Sequence, residues 1–119
     1  MVLKRSPSPP HPPHQDFIKR CHVSPDAFIQ GAFQLAYLRD CGRHDATYES
    51  STTRLFAEGR TETVRPLTRE MVEWVAAMRD ASVGPRERLR ALQTAAARHV
   101  AGFTDAMTGR GIDRHLFAL

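Results

Sequence analysis

Between Thr47 and Pro66 the chain gathers one tyrosine, seven serine and threonine hydroxyls, three arginines and three glutamates. Only Leu55, Phe56 and Val64 in that stretch are core-forming types. Hydroxyl donors beside guanidinium groups can hold a carboxylate or a phosphate, whose burial is unfavourable unless several donors and a cation compensate it. Such a stretch is either a solvated surface hairpin or loop, or the wall of a polar site. A second candidate is His22-x-x-x-Asp26, the spacing in which a histidine base can deprotonate a hydroxyl or thiol for acyl transfer. Its aspartate is already accounted for by a helix start, and a histidine just ahead of a cap is commonplace, so no catalytic residue is assigned. His11-x-x-His14 has no third ligand, and no metal site is expected. His99 falls on an apolar helical stripe, where a satisfied core histidine is the ordinary outcome. Arg86, Arg88 and Arg90 alternate along a helix, so they do not share a face, and no aromatic platform or nucleic-acid motif accompanies them. The glycines form no phosphate-cradling pattern.

The elements that must carry these residues are mostly helices. Ser24-Pro25-Asp26 opens one: serine can cap the free amides, proline is shaped for the first turn, and aspartate complements the positive dipole end. It runs through Phe28, Ile29, Ala32, Phe33, Leu35, Ala36, Tyr37 and Leu38 to a stop at Gly42. Apolar residues occupy most of its circumference, with Gln30 and Gln34 as interior polar residues, so it expects cover on several sides. A strand is expected from near Ala46 toward Phe56, with a turn at Gly59 and a second extended piece over residues 61–65. Thr68 caps a helix with Met71, Val72, Trp74, Val75 and Met78 at helical spacing. Beyond Gly84-Pro85 a longer helix carries Leu89, Leu92, Ala96, His99, Val100, Phe103 and Met107, and Gly109 and Gly111 end it. The last eight residues, from Ile112, are amphipathic but too few to hold a helix alone.

Residues 1–16 differ in kind. Five of the eight prolines lie between Pro7 and Pro13, a composition that favours extended polyproline conformations and cannot bury a core. This is read as a disordered tail, with a loose match to a proline-rich peptide ligand and without the apolar region of a secretory signal. The 119 residues suit one small domain, and no apolar run is long enough to span a bilayer. The net charge of +4 rests on 17 basic residues, of which only Lys4 and Lys19 are lysines. That bias gives weak support to an anionic partner, and nucleic acid is not expected as one. Cys21 and Cys41 have neither a metal-ligand spacing nor a disulfide-framework density, which points to two reduced thiols.

Taken together, several stretches resemble the choline/carnitine acyltransferases. They are Phe17-Ile18-Lys19, Ser24-Pro25-Asp26-Ala27-Phe28-Ile29-Gln30, Ala32-Phe33-Gln34-Leu35-Ala36-Tyr37, the polar stretch itself, and Ala106-Met107-Thr108-Gly109-Arg110-Gly111-Ile112-Asp113-Arg114-His115-Leu116-Phe117. The wording is most similar to the long-chain carnitine palmitoyltransferase branch, over about residues 17–119. The resemblance implies an α/β fold of the CoA-dependent acyltransferase type, mostly helical over this stretch with one or two short strands. It implies transfer of a fatty acyl group between coenzyme A and carnitine, with acyl-CoA as co-substrate and no covalently bound cofactor. By family position Tyr48 and Thr61 would donate hydrogen bonds to the carnitine carboxylate, with Arg114 as the opposite charge. Lys19 would meet a CoA phosphate, and Ser24 and Asp26 would line the pantetheine arm.

The departures from the family pattern shape the rest of the expectation. Where the family has a glycine-lysine-glycine word, this chain has His14-Gln15-Asp16. The family's catalytic histidine lies upstream of these residues and its Ser-Thr-Ser motif downstream of Leu119. The chain is therefore expected to be an internal fragment, a partial acyltransferase domain over 17–119 without transfer activity of its own. The family points to mitochondria, although no targeting signal is visible. The alternative is a non-enzymatic module that binds ligand or partner through exposed helix faces or the proline tail.

Overall fold

The computed structural model describes residues 15–119. Five helices and two strands follow in the order α1 (Gln15–Arg20), α2 (Pro25–Cys41), β1 (Glu49–Thr52), β2 (Thr61–Val64), α3 (Arg69–Arg79), α4 (Pro85–Met107) and α5 (Asp113–Ala118). The described chain is thus mostly helical with one small sheet, as expected. The proline-rich tail lies outside the described residues, apart from Gln15 and Asp16, which open α1.

The local signals act where the sequence places them. Ser24 Oγ accepts from the Ala27 amide and Pro25 takes the first helical position of α2. Gly42, in the left-handed region, closes that helix with its amide on the Leu38 carbonyl. Thr68 Oγ1 accepts from the Met71 amide at 3.2 Å and caps α3. Pro85 takes the first helical position of α4, after Gly84 at the cap, which offers no side-chain bond.

The core lies where α2, α3 and α4 meet, with Ile18 and Val23 closing its edge. Met71, Trp74 and Val75 of α3 face Leu92, Ala95 and Ala96 of α4, and small residues on α4 let the two axes approach. Gly31 does the same for α2. A Cβ at that position would stand 3.0 Å from Trp74 Cζ3 and 3.4 Å from Met71 Sδ. Only one stripe of α2 is buried, Ala27, Gly31, Gln34 and Leu38, at helical intervals of four, three and four. Ile29 and Phe33 stand exposed. The cover on several sides that its apolar circumference calls for is absent among the described residues. Leu89 and Val100 of α4 are likewise outside the buried stripe.

The two strands form an antiparallel pair, Glu49 opposite Val64 through Thr52 opposite Thr61. The first begins at Glu49 rather than near Ala46, because the preceding residues serve other contacts. Gln34, buried in α2, donates to Thr47 Oγ1 at 2.7 Å, and Tyr37 donates to Asp45 at 3.2 Å. These bonds draw the approach to β1 down onto α2 instead of into a ladder. The helix α5 has no buried residue. It forms because tertiary contacts hold its first turn: Arg65 makes a two-pronged ion pair with Asp113, and Glu62 accepts from the Arg114 amide at 3.3 Å.

Candidate functional site

The polar stretch folds as the hairpin β1–β2, whose inner face points at α4. Ser51, Glu62 and Val64 are buried there. Glu62 Oε1 accepts from the Thr63 amide at 2.7 Å as well as from Arg114. Gly111 makes that second contact possible, since a Cβ on it would lie 2.4 Å from Glu62 Cγ. The chain end is thereby tied to the hairpin 52 residues upstream.

The three residues expected at a carnitine carboxylate take different places on this hairpin. Tyr48 immediately precedes β1 and is largely exposed. The Arg65 guanidinium lies over its ring, 6.0 Å from the centroid, at cation–π range. Arg65 is also the partner of Asp113, and its hydrogen bonds hold the Asp113 carboxyl below the usual carboxylate range. Arg114 follows Asp113, so Tyr48, Arg65 and the start of α5 share one end of the hairpin. Thr61 pairs with Thr52 at the other end of the ladder, on the order of 10 Å along the strands from that end. Among the described residues no hydrogen bond joins the side chains of Tyr48, Thr61 and Arg114.

A second constellation forms where α2, β1 and α4 converge. A cavity of about 450 Å³ is lined by Ser24, Asp26, Glu49, Ser50, His99, Val100, Phe103 and Thr104. Its inner wall is His99, 2% exposed. The ring Nε2 lies 2.8 Å from Asp26 Oδ2 and 3.0 Å from Glu49 Oε1. The other Glu49 oxygen accepts from Gln30 Nε2 at 2.7 Å. Burial pushes the Glu49 carboxyl above its usual range and the neighbouring Asp26 charge adds to this, while His99 and Gln30 pull the other way. Nε2 thus faces two carboxylates, and Glu49 Oε1 gains no hydrogen bond of good geometry. The ligand atoms of Asp26, Glu49 and His99 lie within 4.8 Å of one another, a donor set that could also hold a cation. Phe103 stands one helical turn from His99, with ring centroids 6.4 Å apart.

Of the residues expected at coenzyme A, Ser24 and Asp26 therefore line a cavity together. Lys19 is exposed on α1 and is not among that cavity's lining residues. His99 is buried on its stripe and bonded through Nε2, as expected for a core histidine, but its Nδ1 has no partner among the described residues. Glu49 is the site residue that no sequence signal singles out. A histidine on an apolar stripe does need a partner, and that signal points to a carboxylate without saying which. A larger cavity of about 590 Å³ lies between β2, α3 and α4, and two of its carboxylates are occupied in the pairs Arg65–Asp113 and Arg110–Asp105.

A helical layer carrying a hairpin, with acidic and hydroxyl groups converging on a cavity, has the character of a small-molecule-binding wall. Residues 13–119 match the family model described as choline/carnitine O-acyltransferase. The chain belongs to that family. It is 52% identical over 102 residues to human carnitine O-palmitoyltransferase 1, liver isoform. It is 48% identical over 101 residues to bovine peroxisomal carnitine O-octanoyltransferase and 45% identical over 106 residues to human carnitine O-acetyltransferase. These matches take in 86%, 85% and 88% of this chain but only 13%, 16% and 17% of the respective relatives. No helix among the described residues is long and apolar enough to cross a membrane.

Proposed function

We propose that this chain contributes one wall of the acyl-CoA and carnitine sites of a carnitine O-acyltransferase, within an α/β fold of the CoA-dependent acyltransferase type. The observation that carries the reading is the cavity between Ser24–Asp26, Glu49–Ser50 and α4. A pantetheine arm presents amide N–H groups on a flexible, largely apolar chain. Asp26 and Glu49 are acceptors for such donors, and Val100 and Phe103 offer the apolar contact. Lys19 reaches from α1 toward a CoA phosphate. At the hairpin end, Tyr48 and Arg114 receive the carnitine carboxylate, with Thr61 as a further hydroxyl donor and Arg65 bracing both Tyr48 and α5.

Among the described residues the chain supplies binding groups, and we assign none of them as the catalytic base. His99 is occupied by two carboxylates, and His22 is an exposed residue following α1 with a positive φ of 57°. In the complete reaction a histidine would take the proton of the attacking hydroxyl or thiol, the acyl carbonyl would become tetrahedral, and hydroxyl donors would hold its oxyanion. Acyl transfer of long chains is the activity in the name of the palmitoyltransferase relative. The octanoyl- and acetyltransferase relatives act, by their names, on other acyl groups, and one of them is peroxisomal; by its likeness to the palmitoyltransferases we assign this chain to mitochondria.

Calorimetric titration with coenzyme A tests the binding reading. Binding that weakens about tenfold in Asp26→Ala supports it, and equal affinity in wild type and variant overturns the placement. A thiol-release assay with palmitoyl-CoA and carnitine tests the missing base, with no turnover above background expected. Turnover that disappears in His22→Ala would refute it. The second reading, a binding module without an enzymatic role, is favoured by the exposed Ile29, Phe33, Leu55 and Phe56. A sharp melting transition from a monomer that binds neither coenzyme A nor carnitine would select it.

A further inference from the structure

His99 touches both carboxylates of the cavity yet is 2% exposed, so its ring has almost no surface left to offer a ligand. The two carboxylates come from different elements, Asp26 from the first turn of α2 and Glu49 from the start of β1, while the ring stands on α4. Their supports are unequal. Glu49 has a second anchor in Gln30, whereas the bond to His99 is the one hydrogen bond of the Asp26 side chain among the described residues. Asp26 is also half exposed, with 52% of its side chain accessible. Without the ring, two like charges within 4.8 Å would repel, and the less anchored of them would turn to solvent.

We propose that His99 is a positioning residue for the acyl-CoA cavity: it clamps Asp26 to α4 and sets the separation of Asp26 and Glu49 that the pantetheine amides meet. This rests on the acyl-CoA reading above. The ring acts through the carboxylates rather than on the ligand. Its loss therefore acts on affinity through Asp26 and leaves Glu49 in place on Gln30. Gln93, earlier on α4, donates to the Cys21 carbonyl at 3.0 Å and fixes the turn that leads into Ser24. The same helix thus secures the α2 start at a second point, which keeps the fold intact when the ring is replaced.

The test is calorimetric titration of the full chain with coenzyme A, comparing wild type, His99→Leu, His99→Gln, Asp26→Asn and His99→Leu/Asp26→Asn, each with its folded fraction measured by circular dichroism. His99→Leu should weaken binding about tenfold. His99→Gln, which keeps an amide donor, should recover most of that loss. In the Asp26→Asn background, His99→Leu should cost less than it does in wild type, because the charged partner it releases is already gone. Additive losses overturn the proposal, as does native affinity in folded His99→Leu. If wild type does not bind coenzyme A, the acyl-CoA reading fails on its own. The clamp is then read from the ¹³Cγ resonance of Asp26, and a resonance unchanged between wild type and His99→Leu overturns it.

Discussion

Replacing Asp26 by alanine should remove two interactions that differ in kind, and their sum follows from the structure. The first is with the α2 dipole: Asp26 lies in the first turn of a 17-residue helix, where a carboxylate contributes about 0.5 kcal/mol. The second is the 2.8 Å bond to His99. A bond to a charged group contributes about 1.5–3 kcal/mol when enclosed, but with 52% of the Asp26 side chain accessible solvent screening reduces it to roughly 1 kcal/mol. The orphaning penalty on His99 is moderated, because Glu49 Oε1 at 3.0 Å can take over the ring proton. The total is about 1.5 kcal/mol, or a fall in Tm of roughly 5–10 °C for a domain of this size. Asp26→Asn keeps an acceptor for the ring and loses the charge, so it should show about half the effect. Urea unfolding followed through Trp74, which sits in the core, measures both. A change below 0.3 kcal/mol on the scale of measurable mutational effects for Asp26→Ala, or equal losses for the two variants, would refute the reasoning.

Gly31→Val should destabilise by roughly 2–3 kcal/mol, since its side chain meets Trp74 and Met71 where even a Cβ is at 3.0 Å; the same unfolding curve checks it. Glu62→Ala should loosen α5, whose first turn would be left to the exposed Arg65–Asp113 pair, and hydrogen exchange at the Leu116 amide should accelerate at least tenfold, on the order of the loss of a 1.4 kcal/mol restraint. Asp113 and Glu49 should respond to acid in opposite directions. The folded Asp113 carboxyl lies below its unfolded value of 3.8, so its contribution is present above that pH and lost as pH falls through the folded value. The folded Glu49 carboxyl lies above 4.5, so its charge opposes folding above the folded value and that penalty fades as pH falls. Melting curves between pH 3 and 6 should show Asp113→Asn losing part of the acid sensitivity, and Glu49→Gln gaining stability over wild type at the upper end.

Where information is local, the residues alone suffice. Ser24-Pro25, Thr68 and Gly84-Pro85 place helix starts because capping depends on a few neighbouring side chains and amides. The hairpin and the α3 and α4 periods were legible for the same reason, and so was family membership, which rests on words of sequence. Contacts across the chain were not legible. Nothing in the spacing of Asp26, Glu49 and His99 shows that they converge, since the first and last are 73 residues apart. Nor does it show that Thr61 lies at the far end of a ladder from Tyr48. The sequence by itself thus determined the elements, their order and the family. The tertiary structure decided which polar groups became partners, because the crossing of α2, β1 and α4 is set by packing around Gly31, Trp74 and the alanines of α4. That crossing brings one buried imidazole between two carboxylates, a juxtaposition that exists only once the core has formed.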